Sequence, residues 1–293
     1  MTGAERGLLM LTCALGETVP ILTLAQYSGA AKLMAQMQRP PEPDRPLTAA
    51  DLRACGFSAE QTERLLGLLS RERQLDAYLA RAARQGIVAV TALSAHYPKS
   101  ILYRLGANAP SVLFCKGDVS LLQKQAIGLV GARHLSAAGR AFAEQIGTLT
   151  AKEGYVLVSG GAVGADSAAQ TACLRNGGEV VVFTPAALVS CPQSEHVLYC
   201  SEEGIDLPFS AHRALARNRL IHCLGEKTFV AQCDAEKGGT WHGSVDNLKH
   251  CRTPLFVHRD GSHGTEQLIA MGGVPVTSVQ SLRDAQAEQV SLF

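Results

Sequence analysis

Three glycine-rich turns and one arginine-rich stretch carry the side chains of this chain best suited to chemistry. The first turn holds Gly131, Arg133 and Ser136, the second Ser159, Gly160, Gly161, Gly164 and Asp166, and the third Gly238, Gly239 and Thr240. Small residues of this kind leave backbone N–H groups bare, and a helix that starts directly after them adds its positive dipole end to the attraction for an anion. Arg133 supplies a guanidinium fork able to hold two phosphate oxygens at once. Asp166 would repel a phosphate, so its economical role is structural, tying the turn or capping the helix. Thr240 has the hydroxyl of a helix cap or of a second phosphate contact. Arg213, Arg217, Asn218 and Arg219 fall close together. On a helix Arg213 and Arg217 share a face and Arg219 diverges from it. The chemistry expected is phosphate binding, with Asn218 also suited to tying down a neighbouring turn.

The elements that must position these turns are legible from periodicity. Ala126 to Val130 and Tyr155 to Val158 are short apolar runs that alternate with longer segments of helical period. Two such units in tandem make a right-handed parallel sheet, and both turns then converge at its carboxyl edge. Glu179 to Thr184, Thr228 to Gln232, Pro254 to His258 and Gly273 to Thr277 read as further strands. A short helix is expected around His196 to Tyr199, and a helix through Arg213 to Leu224. Upstream, residues 87–93 read as a strand, and Pro98 and Pro110 restrict the following stretch to extended and turn conformations before a strand at Ser111 to Cys115.

Residues 1–85 have a different texture. Gly7 to Leu15 and Ile21 to Met37 are short helical segments, and the proline-rich connection from Gln38 to Leu47 cannot continue a helix. Thr48 and Ser58 are then expected to cap helices, the second with an apolar face that includes Leu65, Leu66, Leu69, Leu75 and Leu79. No glycine hairpin flanked by basic residues marks this region as a DNA contact, so packing or partner contact is its expected role. The fold class expected is α/β, with a small helical domain over residues 1–85 and a parallel-sheet domain over residues 86–293 able to fold alone.

Composition narrows the function classes. The 293 residues carry a formal net charge of +1, so any polyanion contact must rest on a local patch rather than a global field. Nine cysteines are spread without a CxxC pair or a Cys/His cluster at zinc spacing, the pattern of reduced, mostly buried thiols in a cytoplasmic protein. No metal site is expected. Leu8 to Leu15 is too short and too polar in its flanks for a signal peptide, and nothing else approaches membrane-spanning length.

A resemblance covers residues 96 to 270. The ordered fragments HYP, PSVLFCKG, GLVGAR, SGGAVGAD and ARNRLI resemble the DNA-processing protein A family (DprA, also called Smf). The resemblance implies an extended Rossmann-like domain behind a helical domain, non-enzymatic binding of single-stranded DNA, and delivery of that strand to a RecA-type recombinase in DNA uptake and recombination. It leaves a homodimer open and calls for no cofactor. Arg133 stands at the arginine of the family's VGxR motif, and Arg217 and Arg219 at its RNR motif. Two positions depart from the pattern: Val163 replaces a basic residue, and Gln170 replaces a histidine. A C-terminal winged helix, which some members carry, is expected to be absent from a chain ending at Phe293.

Other readings are narrowed by the same residues. Neither turn spells GxGxxG, no acidic residue follows the third strand for a ribose hydroxyl, and GxSxG, HExxH and a Walker lysine are absent from the sequence. No catalytic residue is assigned. A nucleotide-binding or nucleotide-hydrolysing protein related to the phosphoribohydrolases stays open as the alternative. Those enzymes use a GGxGTxxE turn, whereas Gly238, Gly239 and Thr240 here lead into Trp241, His242 and Gly243 without the glutamate.

Overall fold

The computed structural model describes residues 1–35 and 46–285. Among them nine strands form one sheet: β1 (Ile87–Thr91), β2 (Val112–Lys116), β3 (Ala126–Val130), β4 (Val156–Ser159), β5 (Glu179–Phe183), β6 (Val197–Ser201), β7 (Lys227–Val230), β8 (Leu255–His258) and β9 (Val274–Val276). Five helices precede the sheet: α1 (Gly3–Thr12), α2 (Leu24–Ala35), α3 (Ala49–Ala54), α4 (Ala59–Leu69) and α5 (Glu72–Arg84). The others are α6 (Lys99–Leu105), α7 (Ala137–Lys152), α8 (Ala165–Arg175), α9 (Ala211–Ala216), α10 (Asn218–Leu224), α11 (Gly238–Lys249) and α12 (His263–Ala270).

The strand order is β1, β2, β6, β5, β4, β3, β7, β8, β9. Every pairing from β6 to β9 is parallel, while β2 runs antiparallel to both β1 and β6. Central strands such as β3 and β4 are buried along their whole length, as expected for parallel strands covered on both faces. Phe142, Ile146 and Ala169 of α7 and α8 pack on Ile127, Leu129 and Leu157. Ile101, Leu220, Ile221 and Trp241 pack with Val130, Val158 and Val230. The chain moves from β3 through β6 in one direction, then crosses back to place β7 on the other side of β3. That reversal opens a crevice at the carboxyl ends of β3 and β7.

Thr2, Thr48 and Ser58 each close a reciprocal capping box at the start of α1, α3 and α4. The helical segment does not form its core alone. Leu9, Leu75, Tyr78 and Ala82 share one buried cluster with Ile87, Val112, Phe114 and Ile205, while Leu11, Leu22, Leu52, Leu65 and Leu68 make a second, outer one. The Arg71 guanidinium is buried and donates to the carbonyl oxygens of Met10, Cys13 and Ala14, satisfying the C-terminal end of α1. The sequence division at residue 85 thus crosses an apolar cluster common to both sides.

Four local expectations are corrected. The helix capped by Ser58 and read through Leu79 is two, α4 and α5, which meet at Ser70 and Arg71. Lys99 to Leu105 is a helix: Pro98 sits at its N-cap, where a missing N–H costs nothing, and Ile101 and Leu105 pack with Leu220, Ile221 and Leu224. His196 to Tyr199 is not helical: β6 begins at Val197, pairing parallel with β5 and antiparallel with β2, so sheet contacts on both sides override the local preference. Arg213 to Leu224 forms two short helices that meet at Arg217. Residues 38–45 of the proline-rich connection, and Met37 before it, lie outside the described residues.

Two stability outcomes follow. The Tyr78 ring lies 5.7 Å edge-on from Phe114, and its hydroxyl accepts the Ile205 N–H at 3.0 Å. Tyr78→Ala should cost about 3–5 kcal/mol in urea denaturation; an unchanged midpoint would contradict the shared core. His222 on α10 is buried, with neither ring nitrogen partnered among the described residues. Burial, then the nearby Arg252 charge, pushes its pKa from 6.5 down to about 3. The unfolded chain takes up this proton below about pH 6.5 and the folded chain does not until about pH 3, so stability falls as pH drops through that window. Denaturation midpoints across it should fall less steeply for His222→Leu than for the parent chain.

Candidate functional site

Three strand-to-helix turns meet at the crevice. The first joins β3 to α7, whose N-cap Ser136 accepts the Gly139 N–H at 3.0 Å. The second joins β4 to α8, and the third joins β7 to α11. Backbone bonds lock them together: Ala132 N–H donates to the Gln232 carbonyl at 2.8 Å, and Ala165 N–H to the Ala132 carbonyl at 3.1 Å. Gln232 also accepts the Ser136 N–H through Oε1 at 2.9 Å. The Thr240 hydroxyl donates to the Gly131 carbonyl at 2.8 Å; Thr240 is a strap between the third and first turns rather than a cap. Gly164 has φ +91°, and a Cβ there would sit 2.4 Å from the Ala132 and Arg133 carbonyl oxygens.

Asp166 lies inside the second turn, where one carboxylate oxygen accepts the N–H groups of Gly160 (3.0 Å) and Ala162 (3.2 Å). Burial raises its pKa, opposed by the Arg217 charge, these two N–H groups and Arg133. Arg217 is more than nine-tenths buried and donates through Nη2 to the Gly160 carbonyl at 3.0 Å. Its Nε has no partner among the described residues. Burial lowers its pKa against the pull of Asp166, and the charge of Arg133 lowers it further. A Cβ on Gly160 would lie 1.7 Å from Arg217 Nη1, so this glycine is the seat of the guanidinium. Arg133 is exposed and has no hydrogen-bond or ion-pair partner among the described residues.

The remaining sequence candidates divide. Gly131, Gly238 and Gly239 line the cleft with Arg133 and Arg217, and Gly161 lines its continuation. Ser159 lies beneath it, fully buried, its hydroxyl accepting Gln170 Nε2. Arg219 is turned away and grips Glu202 with both Nη atoms, at 2.8 and 2.6 Å. Asn218 lines the cleft but spends its amide on the Gly239 carbonyl at 2.8 Å. Arg213 is loosely paired with Glu203 at 3.7 Å. The side chains of Ser159 and Arg219, both expected at the phosphate, are thus engaged with Gln170 and Glu202 instead of facing the cleft.

Sequence reasoning missed Gln232, Lys237, His134 and Phe209. Lys237 lies within the third turn as read from the sequence but was given no contact, and His134 directly follows Arg133; both line the cleft. Gln232 ends an apolar strand, where a polar residue hints at an edge role. Phe209 lies on an irregular segment that carries no such hint. The cleft has two compartments, of about 500 Å³ and 410 Å³, which share Arg133, Ala162, Phe209, Ala214 and Arg217. Among the described residues no group of His, Cys, Asp and Glu could hold a metal ion, and no helix is long and apolar enough to cross a membrane.

Comparison with known proteins places this arrangement. Residues 88–286 match the family described as DNA recombination-mediator protein A. DNA processing protein DprA of Bacillus subtilis is 30% identical over 235 residues, covering 74% of this chain and 77% of that protein. The solved DprA of Streptococcus pneumoniae aligns over 95% of this chain and 96% of its own, with a TM-score of 0.71 and 25% identity. The structure of DprA from Helicobacter pylori, described for its single-stranded DNA binding mode, covers 66% of this chain and 92% of its own, with a TM-score of 0.57 and 26% identity. The expected Rossmann-like α/β fold is thus the one found. The family match over residues 88–286 and the Bacillus subtilis relative together show that the chain belongs to the DNA recombination-mediator protein A family, the DprA/Smf proteins.

Proposed function

We propose that this protein is a non-enzymatic binder of single-stranded DNA that holds the strand by its phosphates at the carboxyl edge of the sheet and presents it to a RecA-type recombinase. One observation carries the binding reading: the buried Arg217 guanidinium has an unpartnered Nε beside the exposed Arg133. Both line the cleft, the Arg133 charge disfavours the Arg217 cation, and an anion between them relieves that repulsion. The helices α7, α8 and α11 begin at the turns that border this cleft, so their positive dipole ends favour an anion there. The single-stranded DNA binding named for the Helicobacter pylori relative supports this reading. The recombination-mediator description of the family supports the delivery step.

The test is titration of labelled single-stranded oligonucleotides, with mononucleotides alongside, at two salt concentrations. Arg133→Ala should weaken oligonucleotide binding without unfolding the protein and should flatten the salt slope by about 0.7, the value for one lost phosphate contact on a single strand. An unchanged isotherm at low salt would contradict the reading. Saturable mononucleotide binding that does not grow with strand length would favour a nucleotide-binding protein instead. Gly160→Ala and Arg217→Ala should weaken binding by similar factors, and the double variant by little more, because the new methyl displaces the same guanidinium. Additive losses would separate Gly160 from Arg217.

A further inference from the structure

The second compartment, at the carboxyl ends of β4 and β5, differs in chemistry from the first. The first adds His134, Lys237 and the third turn to the shared wall. The second adds no lysine, arginine or histidine beyond the shared Arg133 and Arg217; it is closed by Val163, Gln170, Thr184, Pro185 and Tyr199. Val163 is 67% exposed and Phe209 58%, so large apolar surface faces water at the mouth of a cleft. Apolar walls with a few fixed polar groups suit a planar organic ligand better than an anion. The polar groups are fixed: Gln170 donates Nε2 to Ser159, and the Thr184 hydroxyl accepts the Ala186 N–H at 3.1 Å.

Val163 and Gln170 lie together in this second compartment, with Thr184 and Tyr199, and none of the four carries a charge that would hold a phosphate. This inference rests on the reading of the cleft as a DNA site.

We propose that the second compartment is a nucleobase subsite: with a phosphate held at Arg133 and Arg217, an adjoining base lies with its face against Phe209 and Val163 and its polar edge toward Gln170 and Thr184. Binding then depends on the base as well as on the backbone, in contrast to a track that holds phosphates alone. Tyr199 closes the compartment, and its phenol, kept neutral by burial, adds a ring without charge.

The experiment compares a labelled twelve-nucleotide thymidine strand with a strand of equal length and charge built from abasic residues. The thymidine strand should bind about ten-fold more tightly, the scale of one or two stacked bases. Phe209→Ala should erase most of that difference, and Gln170→Ala and Thr184→Val should each reduce it, with the losses confined to the base-bearing strand. Circular dichroism and urea midpoints of each variant separate these losses from unfolding. Equal affinity for the two strands would overturn the subsite, as would variants that weaken both strands alike. If neither strand binds at low salt, the DNA reading itself falls and the subsite with it.

Discussion

A guanidinium removed from water but left with an unanswered N–H sets the terms for the whole crevice. Taking such a charge out of solvent costs several kcal/mol, roughly, unless its donors are satisfied. Asp166 is near enough to attract Arg217, yet its hydrogen bonds in the second turn go to Gly160 and Ala162. Gly160 thereby serves both groups, giving its N–H to the carboxylate and its carbonyl to the guanidinium. The aspartate shapes the seat and the arginine occupies it, each bonded to one face of the same Gly160 peptide group.

That seat is only as firm as the strands beneath it. β3, β4 and β7 are held in register by parallel ladders and by side chains with almost no contact with water. The turns at their ends are bonded to one another as well as to their own strands: the Ala132 and Gln232 backbones and the Thr240 hydroxyl cross between them. Reversal of the strand order at β3 and β7 brings a third helix N-terminus to a place where sequential neighbours would have supplied two. The topology, rather than any single motif, gathers the positive ends.

Much of this was legible from the sequence because it is local. Apolar runs bounded by glycine or proline turns gave β3 to β5 and β7 to β9 to within one or two residues, and serine and threonine placement gave the caps at Thr48 and Ser58. Elements decided by distant partners were read wrongly. Val197 to Ser201 is a strand only because β2 and β5 flank it, and Lys99 to Leu105 is a helix because its apolar face meets α10. The site was legible to the same degree. Arg133 and the glycines follow from turn chemistry, whereas the division of labour among Arg213, Arg217 and Arg219 depends on which acidic side chains the fold brings near. Pairing of these arginines with Glu202, Glu203 or Asp206 is open from the sequence as the alternative to ligand contact; the fold gives Glu202 to Arg219 and Glu203 to Arg213, an allocation that spacing alone does not decide.

The last strand has a bearing on how an open sheet survives in a crowded solution. β9 is three residues long and has Pro275 at its centre, a residue that offers no N–H to a newcomer. An exposed parallel edge is otherwise a template on which another chain can add itself, strand upon strand, toward aggregation. Among the described residues the sheet ends on this short segment interrupted by an imino acid, which spoils that template on the side nearest the crevice. Copies of this protein can therefore be crowded together with little tendency for that rim to zip onto its neighbours.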